Sequence, residues 1–140
     1  MKPQKKYKRN LKGLISPYGG ELKDLIIRED TLKSELISKV SHEIECSERN
    51  ACDVELLMIG AFSPLEGFMD KENYKSVIKN NRNLSGLLFG LPIVFYTNNE
   101  QILEGEIILL TFKKQKIAVL EVSSKSVSYT HLTLPTSQYV

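Results

Sequence analysis

The chain has 140 residues, 41% of them hydrophobic and 26% charged, which is room for one domain around a core of ordinary size. A net charge of +2 gives no argument for nucleic acid as a partner. No apolar run approaches the ~20 residues that span a bilayer, so the composition points to a soluble, cytoplasmic protein without membrane contact.

The charge is unevenly placed. Lys2, Lys5, Lys6, Lys8, Arg9 and Lys12 lie in the first dozen residues with no acid among them. Residues 1–13 therefore read as a basic, solvated tail. Ser16-Pro17-Tyr18-Gly19-Gly20 is a dense turn signal, and its paired glycines let the backbone reverse or approach another segment closely. From Asp30 an apolar stripe of Leu32, Leu36 and Val40 predicts a surface helix over 31–40. Ile44 and Cys46 alternate with charged neighbours, as in a short strand or extended link.

Ser47 is placed to cap a helix over 48–59, with Glu48 in its first turn and Gly60 where the helix would stop. Ala51, Val54, Leu57, Met58 and Ala61 form its apolar face. Phe62 to Phe68 is a loop with unusually apolar contents. Asp70 caps a third helix over 71–81, with Met69 stapled to Tyr74 and with Tyr74, Val77 and Ile78 facing inward.

Beyond residue 90 the period becomes that of strands, over 91–97, 106–112 and 116–122, separated at hairpin-like distances by Asn98-Asn99 with Gly105 and by Lys113-Lys114-Gln115. The expected fold class is α+β, helices followed by an antiparallel meander. Residues 126–140 contain no Lys, Arg, Asp or Glu, unlike everything before them. That composition reads as a non-native tail, although it would also pass for one more edge strand.

Spacing yields no active site. There is no G-x4-G-K-[ST] loop, no G-x-S-x-G elbow, and Gly86-x3-Gly90 runs into Leu-Pro. Asp53 and Glu55 are two apart on a helix and face different ways. Cys46 and Cys52 read as free thiols of a reducing compartment, and His42-x3-Cys46 falls short of the four ligands of a zinc site. No catalytic, cofactor-binding or metal-ligating residue is assigned.

The run Asn50 to Asp70, NACDVELLMIGAFSPLEGFMD, resembles the N-terminal domain of the sulfate adenylyltransferases (ATP sulfurylases). So do Ser16-Pro17-Tyr18-Gly19-Gly20-Glu21-Leu22, Tyr74-x2-Val77-Ile78, Leu91-Pro92-Ile93 and Ala118 to Val122, in the family's order. The resemblance covers residues 14–125. It implies a PUA-like small β-barrel domain, incomplete at its C-terminal end, that precedes a larger catalytic domain.

It also implies a parent enzyme that makes adenylyl sulfate and pyrophosphate from ATP and sulfate with magnesium, in sulfate assimilation or in energy-yielding sulfur oxidation, which share this chemistry, and as a homo-oligomer. The family's catalytic Gln-x-Arg-Asn-x2-His-x2-His and Gly-Arg-Asp motifs do not occur in this chain. The piece is thus expected to be inactive and structural, to hold no cofactor, and to work with a catalytic domain in cis. Phe62, Ser63, Pro64, Leu65, Gly67 and Phe68 are its candidate inter-domain contact, the alternative being that they only fill the core. The competing function is a stand-alone PUA-like RNA-binding module. Few aromatics stand among basic residues, as a stacking platform would need.

Overall fold

The computed structural model describes residues 13–128 and 131–133. Among these residues lie three helices and two three-stranded sheets. They are α1 (Asp30–Ser38), β1 (Val40–Glu45), α2 (Glu48–Met58), α3 (Lys71–Asn80), β2 (Tyr96–Thr97), β3 (Ile107–Phe112), β4 (Gln115–Glu121), β5 (Ser126–Ser128) and β6 (His131–Thr133). The class is α+β.

Local signals set the helices. The Ser47 Oγ accepts from the Asn50 N–H at 3.2 Å and Asp70 Oδ1 accepts from the Asn73 N–H at 2.8 Å, so α2 and α3 each start on a short polar cap. Past the end of α2, Gly60 has a φ of +83°, and a Cβ there would come within 2.7 Å of the Lys23 carbonyl oxygen. Glycine is thus required both by conformation and by the close passage of residues 22–23. Ala51, Val54 and Leu57 are buried, Met58 is half-buried, and Ala61 is exposed. In α3 Val77 is buried and Tyr74 half-buried, but Ile78 is 60% exposed, because one residue is 100° of rotation away from the inward face. Helix α1 stops at Ser38, two residues earlier than its apolar stripe suggested. Val40 opens β1 instead.

The antiparallel meander is only partly realised. Strands β3 and β4 form an antiparallel hairpin, but on its other side β3 pairs with β1 in parallel, in the order β1-β3-β4. A parallel pair needs a long crossover, and α2 and α3 supply it. Of 91–97 only Tyr96–Thr97 is strand, pairing with β6, which pairs in turn with β5. Ile93, Val94 and Phe95 are buried without joining a ladder, and Pro92 before them has no N–H to give one. The described strands make two open sheets, where a closed small barrel had been expected.

The central strand β3 carries two cores. Ile108 and Leu110 face a main cluster with Val54, Leu57, Val77, Phe95 and Leu120, while Leu109 faces a smaller one with Ile27, Leu36 and Val119. Period-two alternation along β3 and β4 divides the residues this way. An irregularity between Val40 and His42 lets Val40 join the smaller cluster while Ile44 packs against the main one.

The β3–β4 hairpin turns through two residues that both have positive φ, Lys113 at +49° and Lys114 at +65°. This turn geometry favours Asn-Gly. Glu45 holds it in place, its carboxylate accepting from both lysine N–H groups and from Thr111 Oγ1. The Thr111 bond, followed by those N–H groups, keeps the Glu45 carboxyl below its usual range. Lys114→Gly removes the left-handed penalty at the cost of a more flexible unfolded chain, for an expected net gain of about 0.5–1 kcal/mol. Urea unfolding measures it; a lower midpoint would show the turn is not strained.

Candidate functional site

Three segments distant in sequence meet on one face. The first is the Ser16–Gly20 turn, closed by a Gly20 N–H to Pro17 O bond of 2.9 Å. A Cβ on Gly19 would come within 2.7 Å of Pro64 Cγ, so this turn lies directly on the second segment, the 62–68 loop. The Tyr18 hydroxyl donates to the Leu88 carbonyl at 2.8 Å, and its ring meets Phe89 edge-on with centroids 6.1 Å apart, which ties in the third segment.

Hydrogen bonds fix the loop from below. The Lys23 N–H donates to Ser63 Oγ at 2.9 Å, and that hydroxyl donates to the Gly60 carbonyl at 2.6 Å. The Ser63-Pro64 peptide is cis. Lys23 Nζ lies 2.8 Å from Glu66 and 3.1 Å from Glu21, and these bonds, Glu66 first, raise its pKa. At the loop's end the Met69 N–H donates to the Ile93 carbonyl at 2.7 Å.

The six residues named as an inter-domain contact divide. Ser63, Gly67 and Phe68 are buried, and Phe68 packs on Phe95 with ring centroids 5.4 Å apart. Phe62, Pro64 and Leu65 are half-buried and open toward the surface. Beside them Tyr18, Leu88 and Leu91 are 51%, 56% and 66% exposed. The 82–90 segment enters the sequence reading only through Gly86-x3-Gly90, which fails as a phosphate loop; the signal in it is Leu87-Leu88-Phe89, an apolar run between two glycines without the period of a helix or strand.

Two clefts flank Arg49. One, of about 360 Å³, is lined by Phe62, Phe89, Leu91, Pro92 and Asp53 among others; the second, of about 560 Å³, by Glu45, Ser47, Asn50, Tyr96 and Asn98 among others. Burial raises the Asp53 pKa, with Arg49 opposing it. Burial, then a hydrogen bond with Tyr74, raises that of Tyr96. Among the described residues no histidine or lysine lines either cleft.

The remaining candidates are not brought together as a site. His42 Nε2 lies 3.2 Å from Glu106 Oε2. Cys46 is in the core, its thiol pushed up to about 11 by burial and then by the Glu45 charge, so it behaves as a small apolar side chain. Cys52 is free and exposed. Among the described residues no group of three His, Cys, Asp or Glu could hold a metal ion, and no helix is long and apolar enough to cross a membrane. The basic run of residues 2–12 lies outside the described residues.

The sequence model of the PUA-like domain matches residues 15–131. The chain belongs to the PUA-like domain family. Curated relatives of this PUA-like chain are sulfate adenylyltransferases. That of Neurospora crassa is 48% identical over 90 residues, covering 63% of this chain and 16% of that protein. That of Vesicomyosocius okutanii is 39% identical over 116 residues, covering 80% of this chain and 29% of that protein. The matched segment corresponds to their N-terminal domain. The chain therefore spans less than a third of the length of these relatives. Among solved structures, the hexameric APS kinase from Thiobacillus denitrificans matches 90% of this chain and 27% of that one, with a TM-score of 0.76 and 27% identity. These relatives connect the PUA-like domain with sulfate activation at the level of the family.

Proposed function

We propose that the chain is the structural N-terminal domain of a sulfate adenylyltransferase whose full-length form makes adenylyl sulfate and pyrophosphate from ATP and sulfate. The observation that carries this is the convergence of the Tyr18-Gly19, Ser63-Pro64 and Leu88–Pro92 segments on one packed face, in a chain whose curated relatives are sulfate adenylyltransferases. The domain is built on residues 14–125, and of the uncharged stretch that follows, Ser126–Ser128 and His131–Thr133 pair into the sheet of Tyr96–Thr97, within or beside a match that runs to residue 131.

The domain's own clefts do not suit magnesium-bound ATP. Among the described residues Arg49 is the one basic side chain lining either cleft, with Asp53 in one and Glu45 in the other, where a polyphosphate needs several converging donors. ATP, sulfate and magnesium are accordingly assigned to a catalytic domain in cis, and no step of the reaction is routed through this chain. Its contribution is to present a fixed face to that domain. The hexameric state of the APS kinase supports a homo-oligomeric parent.

The test is a chimera. Residues 15–125 of this chain replace the matched 116 residues in the V. okutanii enzyme. The chimera should form adenylyl sulfate at a rate within about tenfold of its parent, since the groups aimed at the developing charge are untouched. A folded chimera without activity contradicts the proposal.

A further inference from the structure

The apolar rim around Phe89 has no cover within the described residues, and we propose that it is the surface on which the remainder of a sulfate adenylyltransferase polypeptide docks. This rests on the reading above and names the face that does the work. Tyr18, Leu88 and Leu91 are each more than half exposed and surround half-buried Phe62 and Phe89. Contiguous exposed apolar side chains on a soluble domain mark contact surfaces.

The segments of the rim are tied to one another. Tyr18 is pinned through its hydroxyl to the Leu88 carbonyl, and the Gly19 backbone rests on Pro64. Side chains held in place before association lose little freedom on docking. Arg49 and Asp53 line the same cleft as Phe62, Phe89 and Leu91, so the apolar surface includes a charged pair, and interfaces combine apolar and polar groups in this way.

The occupant follows from length. The matched segment is 16% of the N. crassa enzyme and 29% of the V. okutanii enzyme, so most of each polypeptide lies outside it. A surface joined to its partner in one chain meets it at high effective concentration, and a modest rim suffices.

The experiment places Leu88→Glu and Leu91→Glu together in the V. okutanii chimera and in the isolated 140-residue chain. Both positions are exposed, so the isolated chain should keep its melting temperature within about 1 °C. In the chimera the same pair should lower the first thermal transition by at least about 4 °C. Leu103→Glu, at a residue 57% exposed but outside the cleft lining, should change neither.

An equal drop in chain and chimera would make the rim part of the fold, and no drop in either would leave it bare; each overturns the proposal. A dimer of the isolated chain that the double variant dissolves overturns it in favour of a second copy. As an independent readout, the isolated chain should bind V. okutanii enzyme lacking its matched segment, and the double variant should weaken this at least about tenfold. No binding, or binding the variant leaves unchanged, overturns it. The unmodified chimera separates the two claims: folded but inactive, it counts against the enzyme reading, while the melting comparison still decides the face.

Discussion

Phe95→Ala should destabilise the domain by about 3–5 kcal/mol, a large part of the stability of a domain this size. Phe95 is fully buried in the main cluster and its ring packs on Phe68 at 5.4 Å. Truncation removes apolar area, leaves a cavity among Val54, Leu57 and Ile108, and loses the ring pair, itself worth about 0.5–1.5 kcal/mol. The loss should reach the 62–68 loop as well, because Phe68 anchors that loop and Met69 N–H is bonded to Ile93 on the strand-like run leading to Phe95. Urea denaturation checks it: the midpoint should fall with the slope unchanged. Leu91→Ala, four residues earlier and 66% exposed, should move stability by no more than about 0.5 kcal/mol. Comparable losses at both positions would mean that residues 91–95 are not divided between rim and core as described.

What the sequence reveals and what it withholds follow the range of the interactions. The starts of α2 and α3 are readable because a cap is a local bond, from a Ser47 or Asp70 oxygen to an N–H three residues on. The β3–β4 hairpin is readable because its link is short and polar, although Gln115, expected in the link, pairs with Phe112 as the first residue of β4. The parallel pairing of β1 with β3 is not, since its partners, such as Ile44 and Leu110, are joined by a crossover of two helices that leaves no mark in either strand. Leu91 to Phe95 reads as a strand because a buried extended run and a paired strand share one apolar pattern. The resemblance singled out the 62–68 loop, but whether Phe68 points inward and Phe62 outward depends on packing against Phe95 and Phe89. The rim is hardest of all: the Tyr18–Leu88 bond closes over 70 positions.

The central claim is that this domain supports sulfate activation without performing it. The family's motif histidines and arginines do not occur in the chain. Among the described residues the two clefts share one guanidinium, that of Arg49, and electrostatic stabilisation of adenylyl transfer needs several donors aimed at the charge as it builds. The most direct measurement is ATP formation from adenylyl sulfate and pyrophosphate by the purified 140-residue chain, run beside the V. okutanii chimera. The account predicts a rate at buffer background for the chain and turnover for the chimera. A rate above background in the isolated chain, abolished by Arg49→Ala, would contradict it.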